Sequence, residues 1–133
     1  MKYLFTYVAT AILFFAIDIL WLGIISKSFY ELHLPNYMSA NVNWTAAVIF
    51  YLLYLIGVFV FAIHPAYKQK SALKAYISGA LFGLFTYATY DLTNLATLAD
   101  WPIIVVFVDI IWGVFITSLV SLLGYYITAK VKP

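Results

Sequence analysis

The sequence predicts an all-α integral membrane protein, a single domain over residues 1–133 built as a four-transmembrane-helix bundle with both termini cytoplasmic. Three observations predict it. The first is composition: 66% of the residues are apolar and 9% charged, with a mean hydropathy of +1.02. A soluble domain has about 45–50% apolar and roughly 25% charged residues. So short a chain has too much surface for its volume to hide that much apolar area from water. The second is the presence of four mostly apolar stretches at residues 3–26, 45–64, 75–98 and 102–128, each near the ~20 residues that a spanning helix needs. The third is the lysine distribution, taken up below.

Other counts exclude whole classes of chemistry. Cysteine is absent, which removes disulfide frameworks, thiolate metal sites and thiol nucleophiles. All seven basic residues are lysines, so the bidentate clamps on phosphate that favour arginine are missing. No basic patch with interleaved aromatics lies outside the apolar stretches, which argues against nucleic-acid binding. Aromatic residues reach 20%, as suits a bundle with interfacial Tyr and Trp.

The first stretch follows Lys2 and contains Asp18. It is too long for a signal-peptide core and no small-residue cleavage site follows Ile25, so it is expected to stay. The second stretch is expected to end at Pro65, because the residue before proline avoids the helical region. Pro102 suits the start of the fourth, where its missing N–H costs nothing. With four crossings, Lys2, Lys68, Lys70, Lys74, Lys130 and Lys132 share one side and Lys27 lies on the other. That asymmetry places both termini in the cytoplasm.

The outside connection from Lys27 to Trp44 mixes Phe29, Tyr30, Leu32, Leu34, Tyr37 and Met38 with Glu31, His33 and Asn36. It reads as a short amphipathic helix in the interface broken at Pro35, or as a partly buried loop. The tight turn at 99–101 forces the third and fourth helices to be antiparallel neighbours. Trp44 and Trp101 suit the outer headgroup belt.

The informative residues are acids inside the stretches. Counted along their helices at 1.5 Å per residue, Asp18, Asp91 and Asp109 each fall roughly 10–12 Å below the outer interface, and Tyr51 falls in the same layer. An Asp near the centre of a spanning helix costs about 2.5–3.5 kcal/mol on insertion scales. Three facing lipid would be a heavy penalty, so they are expected to face the bundle interior or a wet recess. No Lys lies in the stretches to neutralise them. Protonation, neutral donors or a bound cation must do so.

Helical spacing nominates the donors. Asp18 and Trp21 are one turn apart, as are Asp109 and Trp112. Tyr87, Asp91 and Asn94 share a face of the third helix. Trp21, Tyr51, Tyr87, Asn94 and Trp112 are therefore candidate pocket residues around the three acids. Polar residues also serve as glue between helices, at ~0.6 kcal/mol per bond, and the same residues fit that role. Gly79 and Gly83, and the ladder Asp109, Gly113, Thr117, Ser121, are small faces for close helix approach within one chain or in a homodimer.

Several activities lack parts. His33 and His64 fall on opposite sides of the membrane, so they cannot share a metal site in a monomer. There is no Ser–His pairing and no phosphate loop, and neither a catalytic motif nor a cofactor can be named. Any metal would be a hard cation on Asp18, Asp91 and Asp109. The lipid bilayer is the partner the composition implies.

The stretches Gly-Ala-Leu-Phe-Gly-Leu at 79–84, Thr-Tyr-Asp-Leu-Thr-Asn-Leu-Ala-Thr-Leu at 89–98 with Trp101, and Asp-x-x-Trp-Gly at 109–113 resemble a family of small bacterial membrane proteins. Asp18-x-x-Trp21-Leu22-Gly23 and the aromatic run at Phe50 and Tyr51 extend the match over essentially the whole chain. The family is domain of unknown function 2177. The resemblance implies a multi-pass protein of the bacterial inner membrane and brings no activity with it. The residues themselves favour a transporter or small-ligand or cation-binding protein with its polar pocket near the outer leaflet. The alternatives are a membrane enzyme on lipid or isoprenoid substrates and an accessory subunit of a membrane complex.

Overall fold

The computed structural model describes residues 1–38 and 40–133. Ser39, inside the outer connection, lies outside them. Among the described residues every regular element is helical: α1 (Lys2–Leu20), α2 (Lys27–His33), α3 (Trp44–Val58), α4 (His64–Lys68), α5 (Ala72–Thr97) and α6 (Ile103–Lys130). Two π-helical turns, Trp21–Ile25 and Phe59–Ile63, follow α1 and α3.

Three continuous helical segments are long and apolar enough to cross a membrane: Lys2–Ile25, Trp44–Lys68 and Ile103–Lys130. The sequence reading expected four. The difference is α5, which has 26 residues but whose apolar character is diluted by Thr86, Thr89, Thr93, Thr97, Asp91 and Asn94.

The second segment also runs past the stop expected at Pro65. In the π turn before it, the His64 N–H reaches back to the Phe59 carbonyl. That extra residue of register puts Pro65 in the first turn of α4, where proline is tolerated. The helix therefore continues to Lys68.

α6 is the centre of the bundle, and small residues let its neighbours approach. A Cβ on Gly79 would lie 2.6 Å from Ser121 Cβ and 2.7 Å from the Thr117 carbonyl oxygen. One on Gly83 would lie 2.8 Å from the Gly113 carbonyl carbon. The small faces of α5 and α6 are thus used against each other inside one chain. On α1 the buried residues Thr6, Thr10, Phe14 and Asp18 recur at every fourth position, a stripe turned toward α6. The Thr128 and Thr6 hydroxyls meet across that contact at 3.2 Å. Phe14, Leu55, Val58, Ile63, Ile116 and Val120 fill the space between.

Contacts tie the lysine-bearing ends together. Lys2 Nζ donates to the Tyr67 hydroxyl at 2.7 Å and sits 4.5 Å from its ring centroid. The N-terminus, α4 and the end of α6 therefore share one end of the bundle. At the other end α5 turns into α6 through Asp100, whose φ of 59° is a left-handed conformation that Asp tolerates. The outer connection combines both sequence readings. It forms a short helix that ends before Pro35, and beyond the helix Leu34 buries itself with Trp101, Val105 and Val106. Trp101 is 7% exposed, so it belongs to this packed cluster and not to a headgroup belt. Trp44, 71% exposed, keeps a surface position.

Candidate intramembrane polar site

The fourfold stripe of α1 turns Asp18 inward, and it is buried. Its carboxylate accepts from the Tyr51 hydroxyl of α3 at 2.5 Å and from the Trp112 indole of α6 at 3.2 Å. The π turn begins one helical turn later, at Trp21. The Trp21 carbonyl accepts from both the amide and the hydroxyl of Ser26, each at 2.8 Å, which pins the wide turn. Such turns re-aim side chains. Here the Trp21 ring stacks on Trp112, with centroids 4.4 Å apart and planes 8° off parallel.

The indole N–H of Trp21 points to the Tyr30 hydroxyl at 3.4 Å, and Tyr30 in turn donates to Asp109. Burial, followed by the hydrogen bond and charge of Asp109, pushes the Tyr30 phenol above its usual range, so it remains a donor. The sequence reading paired each Trp with the Asp on its own helix. The structure crosses the pairs: Trp112 of α6 serves Asp18 of α1, and Trp21, in the π turn after α1, reaches Asp109 of α6 only through Tyr30.

Asp91 is fully buried on α5 and lies within hydrogen-bonding reach of the Asp109 carboxyl. Neither of its oxygens has a donor, and the buried Trp101 Nε1 beside it has no acceptor. A carboxyl–carboxyl hydrogen bond needs a proton on one partner. The acids thus form one contacting pair and one separate member, joined by aromatic side chains. Among the described residues no three ligating groups gather as a metal site would require.

The remaining candidates are placed differently from their sequence reading. Tyr87 uses its ring to cover Gly113 and meets Tyr54 edge-on at 6.2 Å. The Asn94 side chain lies by the Tyr90 hydroxyl. Two members of the network were missed. Tyr30 is on a short helix in a connection, and Trp101 was assigned to the headgroups. The inward pairing of Phe29 and Tyr30 against polar Glu31 was the one available signal.

The model of the family described as Predicted membrane protein (DUF2177) matches residues 3–126. The chain belongs to this family. No curated protein and no solved structure matches it.

Membership in DUF2177 sets this network in a membrane protein, where each unpaired polar group is costly. Two grooves flank the Asp18 end of α1 and the π turn after it. One, of about 310 Å³, lies between α1 and α3 and is lined by Phe15, Asp18, Leu22, Trp44, Val48 and Tyr51 among others. The other, of about 350 Å³, is lined by Trp21, Val108, Ile111, Trp112 and Phe115. The stacked indoles border the second groove, and Asp18 and Tyr51 border the first. Asp18 can accept further hydrogen bonds there, since a carboxylate has about four lone-pair sites.

Proposed function

We propose that this DUF2177 protein is a multi-pass protein of the bacterial inner membrane that binds a lipid-like amphiphile through its polar or cationic head. In this reading α5 is the fourth crossing helix and both termini are cytoplasmic. Support for α5 comes from its threonines. Thr86 and Thr97 each donate to the carbonyl four residues earlier at 2.8 Å, and Thr89 and Thr93 do the same. Hydroxyls satisfied in this way are tolerated in lipid, so hydropathy undercounts the helix. The lysine asymmetry supports the orientation. Because the chain has no cysteine, single cysteines can be read cleanly with an impermeant maleimide. Positions 32 and 36 are expected to label in intact spheroplasts, and positions 70 and 132 only after permeabilisation. Equal labelling of all four would refute the topology.

The ligand reading rests on one observation: an almost wholly apolar groove between two membrane-spanning segments ends on a buried carboxylate, Asp18, held by Tyr51. Apolar walls with a few convergent polar groups are the usual make-up of a small-molecule site. An acyl or prenyl chain would fill the groove, and an ammonium or hydroxyl head would meet Asp18. Purified protein presented with lipid extract in nanodiscs and examined by native mass spectrometry is expected to retain such an amphiphile. Asp18→Asn should weaken retention of a cationic-headed species ~10-fold or more, the value of a hydrogen bond to a charged group. Equal retention by folded Asp18→Asn protein would overturn the reading. Chemical turnover of the retained species would convert it to an enzyme's.

A further inference from the structure

We propose that Asp91 and Asp109 form a proton-binding site, separate from the Asp18 groove, in which the two carboxyl groups hold one proton between them. Three observations carry it. The Tyr87 ring lies on Gly113, and one turn further along the antiparallel helices the two acids come into mutual reach. Asp91 is fully buried with both oxygens unpartnered. Trp101, 7% exposed, has a buried, unpaired N–H and lies beside Asp91.

Counting charges and donors identifies the occupant. Two contacting carboxylates cannot both stay ionised in an apolar interior, and no cationic side chain is there to offset them. The titratable groups facing the pair are Tyr30 from α2 and Tyr87 and Tyr90 from α5. On α1, Asp18 is engaged by Trp112, one of the two stacked indoles. The charges at the outer end of the bundle, Lys27, Glu31 and Asp100, are exposed. One proton bridges the acids and leaves a single negative charge. Two donors are placed for that charge: the Tyr30 hydroxyl on Asp109 and the Trp101 indole near Asp91. A metal cation fits less well, because an indole N–H beside Asp91 is a donor and not a ligand and the oxygen count is short of six. Tyr30 belongs to the short outer helix, so α2 covers the site on that side.

The test is infrared difference spectroscopy of the full-length protein in nanodiscs, following the protonated-carboxyl stretching band and its shift in heavy water. At neutral pH the wild-type band is expected to be present. It should vanish in both Asp91→Asn and Asp109→Asn, because each amide replaces the protonated partner and leaves the other acid ionised. Asp18→Asn should keep it. Tyr30→Phe removes a donor without touching either acid, and should shift the band without abolishing it. A band that survives either Asn substitution of the pair, or no band in the wild type, overturns the proposal. A change in the band on adding sodium would also overturn it, in favour of a cation site. If the Asn variants fail to fold, carbon-13 spectra of aspartate-labelled wild-type protein decide the question. One carboxyl of the pair should sit at its protonated position at neutral pH, and two ionised carboxylates would refute the site. Failure here leaves the Asp18 amphiphile reading untouched, since that site is probed by a different residue and a different readout.

Discussion

The lysine-bearing and acid-bearing halves of this bundle, inner and outer in the orientation proposed above, meet the same problem, polar groups in an apolar medium, by opposite means. The inner half uses small hydroxyls. Thr6, Thr10, Thr117, Ser121 and Thr128 are all buried, and several donate to backbone or to each other. Thr128, for example, donates to the Gly124 carbonyl at 2.7 Å. Even its orphans, the hydroxyls of Thr10 and Ser121, are neutral. The outer half uses carboxyl groups and large aromatics, and its orphans are Asp91 and the Trp101 N–H. An unpaired hydroxyl costs about 1–3 kcal/mol, while an unpaired ionised carboxylate costs far more unless it takes up a proton. The inner half therefore reads as packing. The outer half holds groups whose charge state must be settled by something bound, even if only a proton.

That contrast can be broken most directly from the inner side. Gly79→Leu would drive a side chain into Ser121 and the Thr117 carbonyl oxygen, which lie within 2.7 Å of where its Cβ would fall. Backbone on one side of the clash cannot yield as a side chain would. A loss of about 3 kcal/mol or more is expected, read by denaturant unfolding in micelles, and an unchanged midpoint would mean the α5–α6 seam is not this tight. Asp18→Asn lies in the middle of the range, affecting binding more than folding. The smallest effect belongs to Thr128→Val. It deletes the contact with Thr6 yet keeps the shape, and Thr6 retains its own bond to the Lys2 carbonyl at 3.1 Å. About 0.6 kcal/mol or less is expected. A large loss there would erase the distinction between the halves.

Periodicity exposed much of the fold and only the anchors of the site. The spacing of Asp109, Gly113, Thr117 and Ser121 is a face in the sequence, and its last three residues lie buried along the central helix. The stripe Thr6, Thr10, Phe14, Asp18 was equally visible but was read only at Asp18. Pro65 misled because a π turn absorbs the register a proline needs, and such turns leave no residue signature. Tyr30 and Trp101 were out of reach for another reason. Their roles depend on how a short helix and a tight turn fold back over the outer end, which no spacing along one helix encodes.

The sequence by itself determined the medium and the inventory: a chain too apolar for water, helices in place of strands, acids with no cation to meet them. Hydropathy and charge are properties of each residue, so they can be summed without coordinates. The tertiary structure decided who meets whom. It gave Asp18 the indole of another helix, set Asp91 against Asp109, and joined Trp21 to Asp109 through Tyr30. Those pairings depend on helix rotation and on a π turn that shifts it, and a hydrogen bond is lost within an ångström of misplacement.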